Sequence, residues 1–203
     1  MMDLDKYKKA WDNQPQETDT VSKVDIYKMA HSRSSSIVKW IFIIGVLEFI
    51  LLNSMYFFVD MDEANKEYEK IGLGQFVFYS QIVAYIILFY FLMKFYLNYK
   101  RISVTDSTKE LMTKIVNTRK TVKYYVLFNL SYLFVIAVAV AVATVKSHPE
   151  FTNSKMLVFI AVTAIMSLIM LVLLWLFYQL IYGILLRKLN KNHKELSKLE
   201  DLN

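Results

Sequence analysis

Residues 156–186 form an uncharged, almost wholly apolar run, and this run leaves the chain few possible folds. About twenty residues of α-helix cross a ~30 Å hydrocarbon layer at ~1.5 Å rise per residue, so the run is long enough to cross and emerge still helical. Tyr182, Leu185, Leu189, Asn192, Leu196 and Leu199 then follow at alternating spacings of three and four, the seam of a heptad pattern. Arg187, Lys188, Lys191, Lys194 and Lys198 supply a solvated exterior around it. The expectation is one continuous rod, anchored in lipid and extended into water.

Of 203 residues, 56% are hydrophobic while only four are Gly and two Pro, the balance of long apolar helices rather than of an ordinary soluble domain. One membrane domain fits that length. Cys is absent, which removes disulfides, thiolate metal sites and Cys nucleophiles together. Residues 1–36 lack the charged, apolar, small-residue order of a cleavable leader, so the first apolar segment is expected to act as its own insertion signal and to stay in the mature protein.

Within 1–36, Leu4, Tyr7 and Trp11 share a helical face beside Lys6, Lys8 and Lys9 until Pro15 ends the pattern. That stretch is either a short surface-lying or partner-docking helix or a loosely ordered terminus, because helices so short are marginal without packing. Ser22 and Asp25 resemble a capping box and predict a helix toward the first span, with a break at Ser34, Ser35 and Ser36 as the alternative to a continuous one. The spans are expected at about 37–59, 76–97, 124–145 and 156–186. Lys39 and Trp40 stand at the entrance of the first, where a long cation can snorkel and an indole can sit among headgroups. Residues 60–69 read as a solvated acidic loop ended by Gly72 and Gly74.

The connection 98–123 carries its own helical pattern, with Asp106 as cap and Leu111, Ile115, Thr118 and Val122 on one face. In the third span Ala137, Ala139, Ala141 and Ala143 alternate with other apolar residues, a period of two that elsewhere argues for a strand. Inside a hydrophobic segment of this length a lone strand leaves its backbone unpaired, so a helix is expected, with small-residue stripes that allow close packing.

The distribution of the cations orients the spans. Eighteen Lys and Arg fall in 1–36, 98–123 and 187–203, against four in the two other connections, so the positive-inside rule places both termini and the middle connection in the cytoplasm. The same asymmetry explains the net charge of +6 without nucleic acid, and makes anionic lipid headgroups the direct partners of the basic clusters.

Glu48 is the oddity of the first span. It lies eleven residues in, about 16 Å at helical rise, where an ionised side chain costs roughly 2.5 to 3.5 kcal/mol on insertion scales. Matching depths across antiparallel spans puts Tyr85, Val135 and Ser167 at its level, with Tyr85 or Ser167 as its hydrogen-bond donor. Asn53 and Gln81 are level in the outer half, and Asn129 and Gln179 in the inner half. Glu48 is then either a proton- or cation-binding site or a neutral, hydrogen-bonded acid that fixes helix packing. The seam of Leu185, Leu189, Asn192, Leu196 and Leu199 likewise has two readings: it packs on the chain's own Leu111, Ile115 and Val122 face, or it pairs two copies with Asn192 setting register. No catalytic residue, cofactor or metal is expected. His31 and His193 fall on the cytoplasmic side and His148 outside, and the four glycines are too scattered to cradle a phosphate.

Residues 7–15, 36–42, 102–107 and 117–125 resemble those of a bacterial family of uncharacterised four-span membrane proteins, over most of the chain. Members of such families sometimes carry an automated label of beta-carotene monooxygenase. That label implies a non-haem iron held by four histidines on a large propeller, which a chain with three histidines and four apolar helices cannot supply.

The expected architecture is an all-α, polytopic four-transmembrane-helix bundle, 37–186, with a cytoplasmic N-terminal segment, 1–36, and a cytoplasmic helical extension, 187–203. The expected role is a non-enzymatic membrane anchor or regulatory subunit of the bacterial inner membrane. Its cytoplasmic helices would bind a protein partner, such as a transporter complex or an anti-sigma-type system, or a second copy. An oligomeric channel or proton-coupled carrier centred on Glu48 is the alternative of a different class.

Overall fold

The computed structural model describes residues 23–58, 60–103, 107–149 and 152–200. The face of Leu4, Tyr7 and Trp11, and the cap residues Ser22 and Asp106, lie outside them. Five α-helices follow in order: α1 (Lys23–Ser54), α2 (Met61–Lys70), α3 (Gly74–Ser103), α4 (Thr108–Ser147) and α5 (Asn153–Glu200), with a 3-10 turn at Met55–Phe57. The chain is all-α, and α1, α3, α4 and α5 are each long and apolar enough to cross a membrane.

The helix boundaries follow local chemistry that hydropathy does not register. α1 ends at Ser54, short of the expected 59, where Asn53 Nδ2 donates to the Phe49 carbonyl at 2.7 Å and Ser54 Oγ to that of Leu51 at 2.7 Å. No break occurs at Ser34, Ser35 and Ser36; α1 runs through them, and Ser34 is fully buried. The acidic stretch expected as a loop is largely the helix α2. The Asp60 carboxylate accepts from the backbone N–H of Asp62 and Glu63 at 3.0 and 3.2 Å, and acids in a first turn suit the positive end of the helix dipole. Gly72, at φ 75°, takes the left-handed conformation that turns the chain from α2 into α3. α4 is capped by Ser107, one residue beyond the expected position, through its Oγ and the Glu110 N–H at 3.2 Å.

α1, α3, α4 and α5 form a ring in chain order: α1 packs on α3 and α5, α4 packs on α3 and α5, and α1 and α4 face each other across the diagonal with little contact. Packing is dense at one end. There Ala30 and Val38 of α1, Ile102 of α3, Leu111 and Ile115 of α4, and Leu189 and Leu196 of α5 make one fully buried cluster. A second cluster of Ile41, Phe91, Phe95, Val122, Tyr125, Tyr178 and Tyr182 continues it. Beyond the level of Glu48, Phe91, Tyr125 and Tyr178, only Ala84 and Ala143 are buried among the described residues.

At the open end the helices turn apolar residues outward. Leu51, Phe78, Ile86, Leu127, Leu157 and Leu168 are all more than half exposed, and the most apolar window of α5 buries none of its residues. Water-soluble monomers rarely show so much contiguous apolar surface.

Candidate functional site

The expected polar residues other than Ser167 fall in two places, apart from the heptad seam. Glu48 projects from α1 into the aromatic cluster, where the Tyr178 hydroxyl donates to Oε1 at 2.6 Å and the Tyr182 hydroxyl to Oε2 at 3.1 Å. Tyr125 of α4 packs its ring edge-on against both tyrosines, at centroid distances of 6.2 and 5.9 Å. One face of α5 can supply both donors because Tyr178 and Tyr182 are four residues apart. Each carboxylate oxygen thus has its own phenol, and the side chain is buried.

These partners are not Tyr85 and Ser167. Glu48 meets Tyr125 and Tyr178, ten and eleven residues from the expected levels of Val135 and Ser167, an offset of about 15 Å at helical rise. The depth argument put the middle of each apolar run at one height, whereas Glu48, in the middle of the first run, meets Tyr125 at the beginning of the third and Tyr178 in the later part of the fourth. Glu48 consequently lies nearer the cationic end than expected, since Tyr125 follows Lys123 by two residues and Tyr182 precedes Arg187 by five.

Asn53, Gln81 and Tyr85 meet instead at the open end. Tyr85 Oη donates to Asn53 Oδ1 at 2.8 Å and lies 3.3 Å from Tyr56 Oη, and Gln81 Nε2 donates to Tyr56 Oη. This network forms one wall of a cavity of ≈ 480 Å³ among α1, α2, α3 and α4; among the described residues α5 contributes nothing to it and no acidic or basic side chain lines it. Ser167 lies on the sparsely packed part of α5, away from both places. Asn129 and Gln179 do not pair: Asn129 Nδ2 donates to the Tyr125 carbonyl of its own helix at 2.9 Å, and Gln179 lies exposed along α5 beside Gly183.

The heptad seam turns inward on the chain itself. Leu189 and Leu196 are fully buried, Leu185 packs at the edge of the aromatic cluster, and Asn192 Nδ2 donates to Ser34 Oγ at 3.0 Å. Leu199 is helical, but its side chain lies outside the described ones. Two further contacts tie this end together: His31 Nε2 with the Ile102 carbonyl at 2.8 Å, and Arg119 Nη1 to Asn190 Oδ1 at 2.8 Å. Among the described residues no three His, Asp or Glu side chains come together as metal ligands.

Sequence reasoning missed the phenols as partners of Glu48. The available signal was Tyr178 and Tyr182, the two phenols of the 156–186 run, at one-turn spacing, with Tyr125 at the start of the preceding span.

An all-α chain with four bilayer-length apolar helices, zipped at one end and open at the other, is the class of protein these features define. The chain belongs to the family described as Domain of unknown function (DUF8845), whose model matches residues 24–201. Comparison with curated proteins gives no match, and comparison with solved structures gives none.

Proposed function

We propose that this protein is a polytopic, non-enzymatic protein of the bacterial inner membrane, with both termini cytoplasmic, acting as a membrane anchor or regulatory subunit that binds a protein partner through its cytoplasmic helices. The observation that carries this reading is the zipped end. All four long helices run past their apolar stretches and pack there into a core holding a satisfied Asn192–Ser34 pair, which makes a preformed helical platform. Rigid elements present a binding surface with little ordering cost on association. Among the described residues the opposite end adds one short helix, α2. The exposed apolar faces of α3, α4 and α5 fit lipid contact, and the surplus of cations at the zipped end fits a cytoplasmic placement.

The competing carrier reading requires Glu48 to exchange a proton or cation with water. Both its oxygens are engaged by phenols inside the cluster, which favours a packing role. Flux into liposomes should therefore be the same for wild type and Glu48→Gln; a transport activity lost on that substitution overturns the anchor reading. Photocrosslinking groups placed at the exposed positions Arg33 and Lys188 should give a discrete adduct in native membranes. A chain that stays uncrosslinked and purifies as a lone monomer, or a reporter after Asn203 that is active outside the cytoplasm, refutes the proposal.

A further inference from the structure

A groove of ≈ 570 Å³ runs between α3 and α4, sharing only Phe91 with the aromatic cluster around Glu48 among the described residues. Its two walls carry the same gradient. Along α3, Tyr90 and Phe91 give way to Lys94, then Asn98, then Arg101, at spacings that keep them on one helix face over about 16 Å. Along α4, Lys114 and Lys120 come first and Tyr124 last. Because the helices are antiparallel, both gradients point the same way, with cations toward the zipped end and aromatic rings toward the apolar stretch.

Among the described residues the groove is lined by four cations and by no acidic side chain. Lys114 is bridged to Glu110 at 2.6 Å and donates to the Arg101 carbonyl at 3.1 Å, which secures the cationic end of the groove. Lys94 and Lys120 are exposed and have no acidic partner among the described residues. The Lys94 ammonium stands 5.5 Å from the centroid of the Tyr90 ring, so this cation is held where aromatic surface begins. Asn98 Nδ2 spans the groove floor to Thr121 Oγ1 at 3.3 Å and keeps a second N–H for another acceptor.

We propose that this groove binds one anionic phospholipid, its phosphate held by Lys94 and Lys120 and its acyl chains laid against the exposed rings of Tyr90 and Tyr124. Charge complementarity selects a phosphate, and the collinear apolar wall selects a bilayer lipid over a free anion. Basic pockets between membrane helices at the cytoplasmic side bind such headgroups. The proposal rests on the membrane reading above and adds a site to it.

The test is a titration of phosphatidylglycerol into the detergent-solubilised full chain, read by native mass spectrometry, with phosphatidylcholine and inorganic phosphate as separate arms. Each lysine at an anionic headgroup contributes about a fivefold factor, so Lys94→Gln with Lys120→Gln should weaken phosphatidylglycerol binding roughly thirtyfold. The Lys94→Arg, Lys120→Arg pair should hold it, as should Lys66→Gln with Lys146→Gln, which removes the same charge at the opposite end. Equal binding of both lipids, unchanged binding by the double glutamine variant, or displacement of the lipid by millimolar phosphate overturns the site. Alkaline extraction of the source membranes separates the two levels of the argument. Release of the chain into the soluble fraction overturns the membrane reading as well, whereas retention confines any failure to the groove.

Discussion

Removing the Tyr178 hydroxyl tests whether the Glu48 cluster holds the bundle together. The carboxylate accepts 2.6 and 3.1 Å hydrogen bonds from two phenols whose side chains are 6% and 1% exposed, so no water can replace a lost partner. Hydrogen bonds between membrane helices average about 0.6 kcal/mol in double-mutant cycles and reach about 1.7, and the shorter bond here belongs at the upper end. Tyr178→Phe and Glu48→Gln should each cost about 1 to 2 kcal/mol. The double variant should cost less than their sum by about 1 kcal/mol, because glutamine keeps a single acceptor oxygen for the two phenols, so Glu48→Gln weakens the bond that Tyr178→Phe deletes. Glu48→Ala is harsher, since it strands both phenols at about 1 to 3 kcal/mol each, about 2 to 6 in all, a large share of a typical stability of about 5 to 15 kcal/mol. The assay is reversible unfolding in mixed micelles by titration with a denaturing detergent, followed by circular dichroism. Additivity of the two single variants to within about 0.5 kcal/mol, or an Ala variant as stable as wild type, refutes the packing role.

Three further outcomes are expected. A Cβ at Gly45 would lie 3.1 Å from Cδ2 of the fully buried Phe95, so Gly45→Val should overpack the α1–α3 contact and cost about 1 to 3 kcal/mol in the same unfolding assay; no loss would mean that the two helices do not pack so closely. Asn192→Ala removes the donor to buried Ser34 and should destabilise by about 1 kcal/mol, measured as a lowered melting temperature that Ser34→Ala does not lower much further when combined. Ser107→Ala should cost about 0.5 to 2 kcal/mol and raise amide exchange in the first turn of α4, at Glu110 above all; unchanged exchange there would rule out the cap.

Much of the helical content was legible because its causes are local. Unbroken apolar length set α3, α4 and α5, and the three-and-four spacing from Tyr182 onward marked the face of α5 that is buried at Leu189, Asn192 and Leu196. The same reasoning could not choose between a partner on another helix of this chain and a second copy, since a seam records only that something apolar faces it. Here the Leu111–Ile115 face of α4 and the Ala30–Val38 face of α1 do so. The acidic stretch after Asp60 was misread because hydropathy registers its charge and not its caps, although an Asp preceding further acids is itself a helix start.

By itself the sequence determined that this chain makes four long apolar helices, that cations gather at one end of them, and that α5 continues as a rod into a heptad seam. Each of these follows from the periodicity and polarity of contiguous residues. The tertiary structure alone decided the height and rotation of each helix against its neighbours. Those two variables chose Tyr178 and Tyr182 over Tyr85 and Ser167 as the partners of Glu48, and gathered Asn53, Gln81 and Tyr85 into a separate cavity. A uniformly apolar helix can slide along its axis with little change in its own energy. Its offset is therefore set by what meets across the bundle, such as Gly45 against Phe95 and Asn192 against Ser34.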